Sequence, residues 1–126
     1  MMKAIYRIAL IGALVLILMP ITNTVFAGGK TIPQIIGEAR SQTTEVTVDG
    51  VKKDIDTGRN FVLLDVRTSE EFKAGHLPKA VNIPRGTLEF MIGKHYPQKD
   101  VEIVLYCRTD ARAALCAKTL ADMEYT

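Results

Sequence analysis

The stretch from Val101 to Leu115, VEIVLYCRTDARAAL, constrains the fold most. Val101 to Tyr106 is an apolar run of strand length broken only by Glu102. Cys107 then opens a six-residue loop, Cys107-Arg108-Thr109-Asp110-Ala111-Arg112, and an alanine- and leucine-rich run of helical character follows. A strand that turns tightly into a helix makes an anion site from its backbone alone. Successive N–H groups in the turn converge, and the unsatisfied donors and positive dipole end of the helix's first turn add to the field. A thiolate placed there is stabilised, the more so beside arginine. Such a junction belongs at the carboxyl edge of a parallel sheet, where open α/β folds bind their ligands.

The residues before it supply the alternation that a parallel sheet requires. Thr47 is placed to cap a helix whose apolar stripe is Val48, Val51 and Ile55, with Asp49 and Asp54 outward and Gly58 as terminator. Phe61 to Val66 is a continuous apolar run apart from Asp65, as expected of a strand covered on both faces. Thr68 and Glu71 stand in capping-box spacing, and Gly75 closes the short helix they begin. Ala80 to Ile83 predicts a second strand, stopped by Pro84. A helical piece from about Thr87 to Gly93 and a turn over Tyr96 to Asp100 lead into the Val101 strand. The expected fold class is therefore α/β, a mainly parallel sheet with helices on both faces.

The first 45 residues read differently. Lys3 and Arg7 form a basic start, Ile8 to Met19 is apolar, and Val25-Phe26-Ala27 suits cleavage after Ala27. The apolar run is shorter than the roughly 20 residues a spanning helix needs. Residues 1–27 are thus read as an export signal, residues 28–45 as a leader or short irregular helix, and residues 46–126 as the domain. No cysteine near the cut marks a lipid anchor. The expected location is periplasmic or otherwise exported, without stable membrane association after cleavage. Two of the 16 basic residues and none of the 14 acidic ones lie in the signal, so the mature chain carries 14 of each. That balance, with no clustered basic face, speaks against a nucleic-acid partner.

Cys116 falls with Leu120 and Met123 on an i, i+4, i+7 stripe, which predicts a small buried hydrophobe rather than a resolving thiol. A redox pair with Cys107 requires Cα atoms closer than about 7 Å. His76 and His95 have no ligand spacing to each other or to a cysteine, so no metal site is expected and no cofactor is implied.

Leu64 to Pro84, LDVRTSEEFKAGHLPKAVNIP, resembles the first signature of rhodanese-like sulfurtransferase domains, and Tyr106-Cys107 through Arg112 resembles their active-site loop. With the signal, the chain is similar to the small exported single-domain sulfurtransferases of bacteria, the phage-shock protein E group. The resemblance implies that Cys107 is the nucleophile and persulfide carrier. It implies that the N–H groups of Arg108, Thr109, Asp110, Ala111 and Arg112 cradle the sulfur, and that Arg112 closes the loop. Asp65 and Arg67 would support the site, and His76 would support the fold. It also implies a further strand, a glycine-rich turn and a helix after Thr126, which makes the domain C-terminally incomplete as read.

The activity so implied is transfer of a sulfane sulfur from a small donor such as thiosulfate to cyanide, a thiol or a thiol-carrying protein. The alternative is a non-catalytic rhodanese-like module that holds an anion or a protein. A related phosphatase group has five residues between cysteine and arginine, whereas four stand here, which favours sulfur over phosphoryl transfer. Asp110 puts a negative charge beside an anion site, and two like charges at about 6 Å repel by roughly 3 kcal/mol at an effective dielectric near 20. Asp110 is therefore expected to bias the pocket toward a neutral or thiol-bound donor, with Arg108 the nearest cation to offset it.

Overall fold

In a computed structural model, residues 28–125 are described. The segment read as an export signal and the final residue lie outside them. Five α-helices and three strands follow one another: α1 (Ile32–Ser41), α2 (Val48–Asp56), β1 (Val62–Asp65), α3 (Ser69–Ala74), β2 (Val81–Asn82), α4 (Leu88–His95), β3 (Ile103–Tyr106) and α5 (Ala111–Asp122). A 3-10 turn over Arg85–Thr87 leads into α4. The strands form one parallel sheet in the order β2-β1-β3.

β1 is the centre of this sheet. Its register sets Leu64 opposite Val81 on one side and Leu105 on the other. Leu63 and Leu64 point to opposite faces of the sheet, as neighbours on a strand must, and both are buried. Leu64, Val66, Ile83, Leu88, Ile92 and Leu120 make up most of the main core, each side chain contributing about 1.5–3 kcal/mol by leaving water. Every residue of β3 is only half-buried, because β3 is the edge strand among the described residues.

Local chemistry accounts for the helix ends. The Thr68 hydroxyl accepts from the Glu71 N–H at 3.2 Å while the Glu71 carboxylate accepts from the Thr68 N–H at 3.1 Å, which starts α3. Thr47 caps α2 through the Gly50 N–H, and Gly58 follows its end at φ 71°. The α2 stripe is less covered than its spacing predicts. Val51 and Ile55 are half-buried, but Val48 is 85% exposed, since at the helix's first position it borders an open groove rather than the core.

The stretch expected to be a leader or a short irregular helix contains a regular one. Pro33 sits in the first turn of α1, and the Thr31 N–H donates to the Gln34 side chain at 2.8 Å. α1 packs on α5, which in turn packs on β3, and Ala39 is wholly buried.

Candidate active site

Cys107 is the first residue after β3 and Asp110 the last before α5, so the loop lies between the carboxyl edge of the sheet and a helix start. Cys107 is half-buried, and its thiol and that of Cys116 are both free. The loop is tighter than its composition predicts. Asp110 has φ 71° and ψ −39°, and the Ala111 N–H donates to the Thr109 carbonyl at 2.9 Å. This is a γ-turn of the positive-φ kind, a conformation that costs a side-chain-bearing residue energy. It has a direct consequence for the cradle. The N–H groups of Arg108, Thr109 and Asp110 meet no acceptor among the described residues, whereas that of Ala111 is taken. The cradle expected of all five amides therefore lacks one.

Arg112 points across the sheet to Glu71. Its two terminal nitrogens donate to the two carboxylate oxygens at 2.7 and 2.9 Å, a forked pair that fixes the plane of the guanidinium. The Arg112 hydrogen bonds hold the Glu71 carboxyl down to about 2, helped by the Thr68 N–H. Reciprocally, Arg112 is raised, first by Glu71 and then in smaller part by the charge and side chain of Cys107. Capping-box spacing accounts for Glu71 only as a helix-capping residue. One oxygen of its carboxylate does cap α3, and both hold the arginine that closes the cysteine loop.

Asp65 and Arg67 stand at the end of β1, as expected. Asp65 is completely buried, and its carboxylate accepts from the Arg67 N–H at 2.9 Å and from the guanidinium at 2.6–3.0 Å. Burial alone would push this carboxyl up, but hydrogen bonds from Arg67 and Tyr106 and the charge of Arg67 outweigh it and leave it lowered. Arg67 also donates to the Gly75 carbonyl at 2.7 Å and lies 5.6 Å over the Tyr106 ring. Tyr106, next to the cysteine, accepts from the Leu77 N–H at 3.1 Å. Asn82 bridges the carbonyls of Asp65 and Arg67 at 2.9 and 3.1 Å. This network ties the β1 and β2 ends to the residue before Cys107. His76 is part of the frame too, with Nδ1 2.9 Å from the Phe72 carbonyl and its ring stacked on Phe72 at 3.7 Å.

The partner of Asp110 is not Arg108. Arg40, near the end of α1, donates from Nε at 2.8 Å and from a terminal nitrogen to the same Asp110 oxygen. Arg40, Asp110 and Cys107 border one groove of about 590 Å³ that follows the outer edge of β3. Cys116 is 2% exposed on the buried face of α5, and that burial pushes its thiol up to about 12. Among the described residues no group of side chains is arranged to hold a metal ion, and no helix is long and apolar enough to cross a membrane.

A free cysteine at the carboxyl end of a parallel strand, followed by open amides, a helix start and a fixed arginine, is an arrangement of an α/β domain that can stabilise a thiolate or hold an anion. The chain belongs to the rhodanese-like domain family, whose profile matches residues 47–126. It is 29% identical over 83 residues to the putative sulfur carrier protein YrkF of Bacillus subtilis, a match covering 66% of this chain and 44% of that one. It is also 29% identical over 63 residues to the thiosulfate sulfurtransferase PspE of Escherichia coli, covering 50% of this chain and 61% of that one. It thus spans less than two thirds of either relative. Among solved structures, a Rhodopseudomonas palustris protein described as of unknown function and a possible tyrosine phosphatase superposes with a TM-score of 0.68 at 31% identity, covering 75% of this chain and 77% of that one. The human single-domain sulfurtransferase TSTD1 superposes with a TM-score of 0.58 at 26% identity, covering 67% and 84%.

Proposed function

We propose that the protein is a sulfurtransferase that moves a sulfane sulfur from a donor such as thiosulfate to a thiol or cyanide through a persulfide on Cys107. The observation that carries this is Cys107 at the mouth of the loop, with open amides behind it and Arg112 locked by Glu71. The thiolate attacks the outer sulfur of thiosulfate, a new S–S bond forms, and sulfite leaves with the electron pair of the bond it breaks. An acceptor nucleophile then takes the outer sulfur, and the Cys107 thiolate is restored; with cyanide the product is thiocyanate. This is two-step covalent catalysis. A preformed thiolate needs no general base, which fits a site whose nearest motif histidine, His76, is engaged with Phe72. The four residues between Cys107 and Arg112 favour this reading over phosphoryl transfer.

The same proposal places the protein outside the cytoplasm, after removal of residues 1–27, on the strength of the basic start, the apolar run and the small residues before Gly28.

Intact mass tests the chemistry. The purified protein treated with thiosulfate should gain one sulfur that cyanide removes, and Cys107→Ser should gain none. Folded protein that takes sulfur from neither thiosulfate nor a persulfide donor would be a binding module instead. Hydrolysis of p-nitrophenyl phosphate dependent on Cys107 would favour phosphoryl transfer.

A further inference from the structure

We infer that Arg40, on the helix that precedes the family match, is a positioning and specificity residue for the cysteine loop. Three observations converge on it. Asp110 occupies a positive-φ position that a side-chain-bearing residue adopts at a cost, and it does so inside the loop that holds Cys107. The loop's closing arginine is committed to Glu71 by both of its terminal nitrogens, so it is not available to Asp110. The cation that meets Asp110 comes from 70 residues away, and its guanidinium approaches one carboxylate oxygen with two donors.

α1 is anchored well enough to deliver that cation. It packs along α5, Ala39 beside Arg40 is wholly buried, and the Thr43 hydroxyl donates to the Ala39 carbonyl at 3.0 Å. Arg40 and Asp110 both border the groove that Cys107 borders. Without Arg40 the rim of the cysteine loop would present an uncompensated carboxylate to any anion approaching Cys107. With it, that rim is neutral, and Asp110 is tethered by its side chain as well as by the γ-turn. Asp110 therefore does not exclude an anionic donor, and α1 is a working part of the site.

The inference rests on Cys107 being the nucleophile, but its test does not require sulfur transfer. Alkylation of Cys107 by anionic iodoacetate and by neutral iodoacetamide is timed at one pH and ionic strength, with the modified peptide identified by mass. Both reagents need the thiolate, so the ratio of their rates cancels its population and reports the local potential. A unit charge within roughly a Debye length, about 8–10 Å, at an effective dielectric of about 40–80, changes that ratio roughly two- to sixfold. Arg40→Gln should lower the iodoacetate-to-iodoacetamide ratio by that factor, and Asp110→Asn should raise it. A purely structural role would move both variants in the same direction. Shifts of the same sign, or neither ratio moving by more than about 1.5-fold, overturn the inference. If Arg40→Gln does not fold, Arg40→Met, which keeps the apolar stem of the side chain and removes its charge, takes its place under the same criteria. A shifted ratio without sulfur loading would refute only the proposed activity.

Discussion

Replacing Glu124 by glycine should stabilise the domain, and the size of the gain follows from the end of α5. Glu124 has φ 66°, left-handed backbone that glycine adopts freely. Its N–H donates to the Ala121 carbonyl at 2.9 Å, and the Tyr125 N–H donates to the Leu120 carbonyl at 3.0 Å. This pair of bonds is the Schellman closure of a helix, with Glu124 at the position where glycine is preferred. The turn cannot relax by moving Glu124, because Tyr125 is held on both sides. Tyr125 is 7% exposed, its hydroxyl donates to the Tyr96 carbonyl at 2.8 Å, and the Lys99 ammonium lies 3.9 Å from the ring centroid. Left-handed backbone costs an L-residue about 1–2 kcal/mol. A carboxylate at the negative end of a helix costs about 0.3–1 kcal/mol more. Glycine's greater freedom in the unfolded chain takes back about 0.4–1 kcal/mol. The net gain is about 1 kcal/mol, or about 4–8 °C in Tm for a domain of this size. Urea unfolding of the wild type, Glu124→Gly and Glu124→Ala measures it, since alanine removes the carboxylate but keeps the strained Cβ. The reasoning fails if Glu124→Gly is no more stable than Glu124→Ala.

Two further outcomes follow. Glu71 is held down to about 2, against an ordinary 4.5, by its partner Arg112, so its contribution to stability is complete above about pH 4.5 and drains away as pH falls from there toward 2. Glu71→Gln should flatten the Tm-versus-pH curve in that window, and an unchanged slope would mean that the pair is not formed in solution. Cys116→Ala should cost about 1–2 kcal/mol by shortening a buried side chain, while sulfur loading of Cys107 measured by mass stays at the wild-type level. Loss of loading would make Cys116 a partner of Cys107.

What the sequence made legible is what is encoded within a few residues. The β1 run, the Thr68 and Glu71 capping box, the strand before Cys107 and the stripe that buries Cys116 and Leu120 are each short-range patterns, and each stands where it was expected. Glu71 was half read for the same reason. Its bond to Thr68 spans three residues, but its bonds to Arg112 span 41, and spacing carries no trace of those. Arg40 escaped because it lies in a stretch that looks like a polar leader. A signal was present, since Thr31 and Gln34 have capping-box spacing, Pro33 suits a first turn, and Ile32, Ile35, Ile36 and Ala39 follow a helical period. It was masked by Gly37 and by the absence of any visible partner for the helix. Val48 erred in the opposite direction, because a stripe says which residues share a face and not whether the face is covered.

The sheet joins β1 to β3 with Val62 opposite Ile103, and the Glu71 to Arg112 pair repeats the same span of 41 residues beyond the end of the ladder. The two halves of the site thus belong to distant parts of the chain. Contacts of this range form late relative to local helices, because the intervening loop must be closed first. Before β1 and β3 pair, Cys107 lies open to reagents on an extended chain, and only in the closed sheet is it half-buried. Its reactivity toward a trapping reagent, followed during refolding, is therefore a clock for the moment at which the sheet closes.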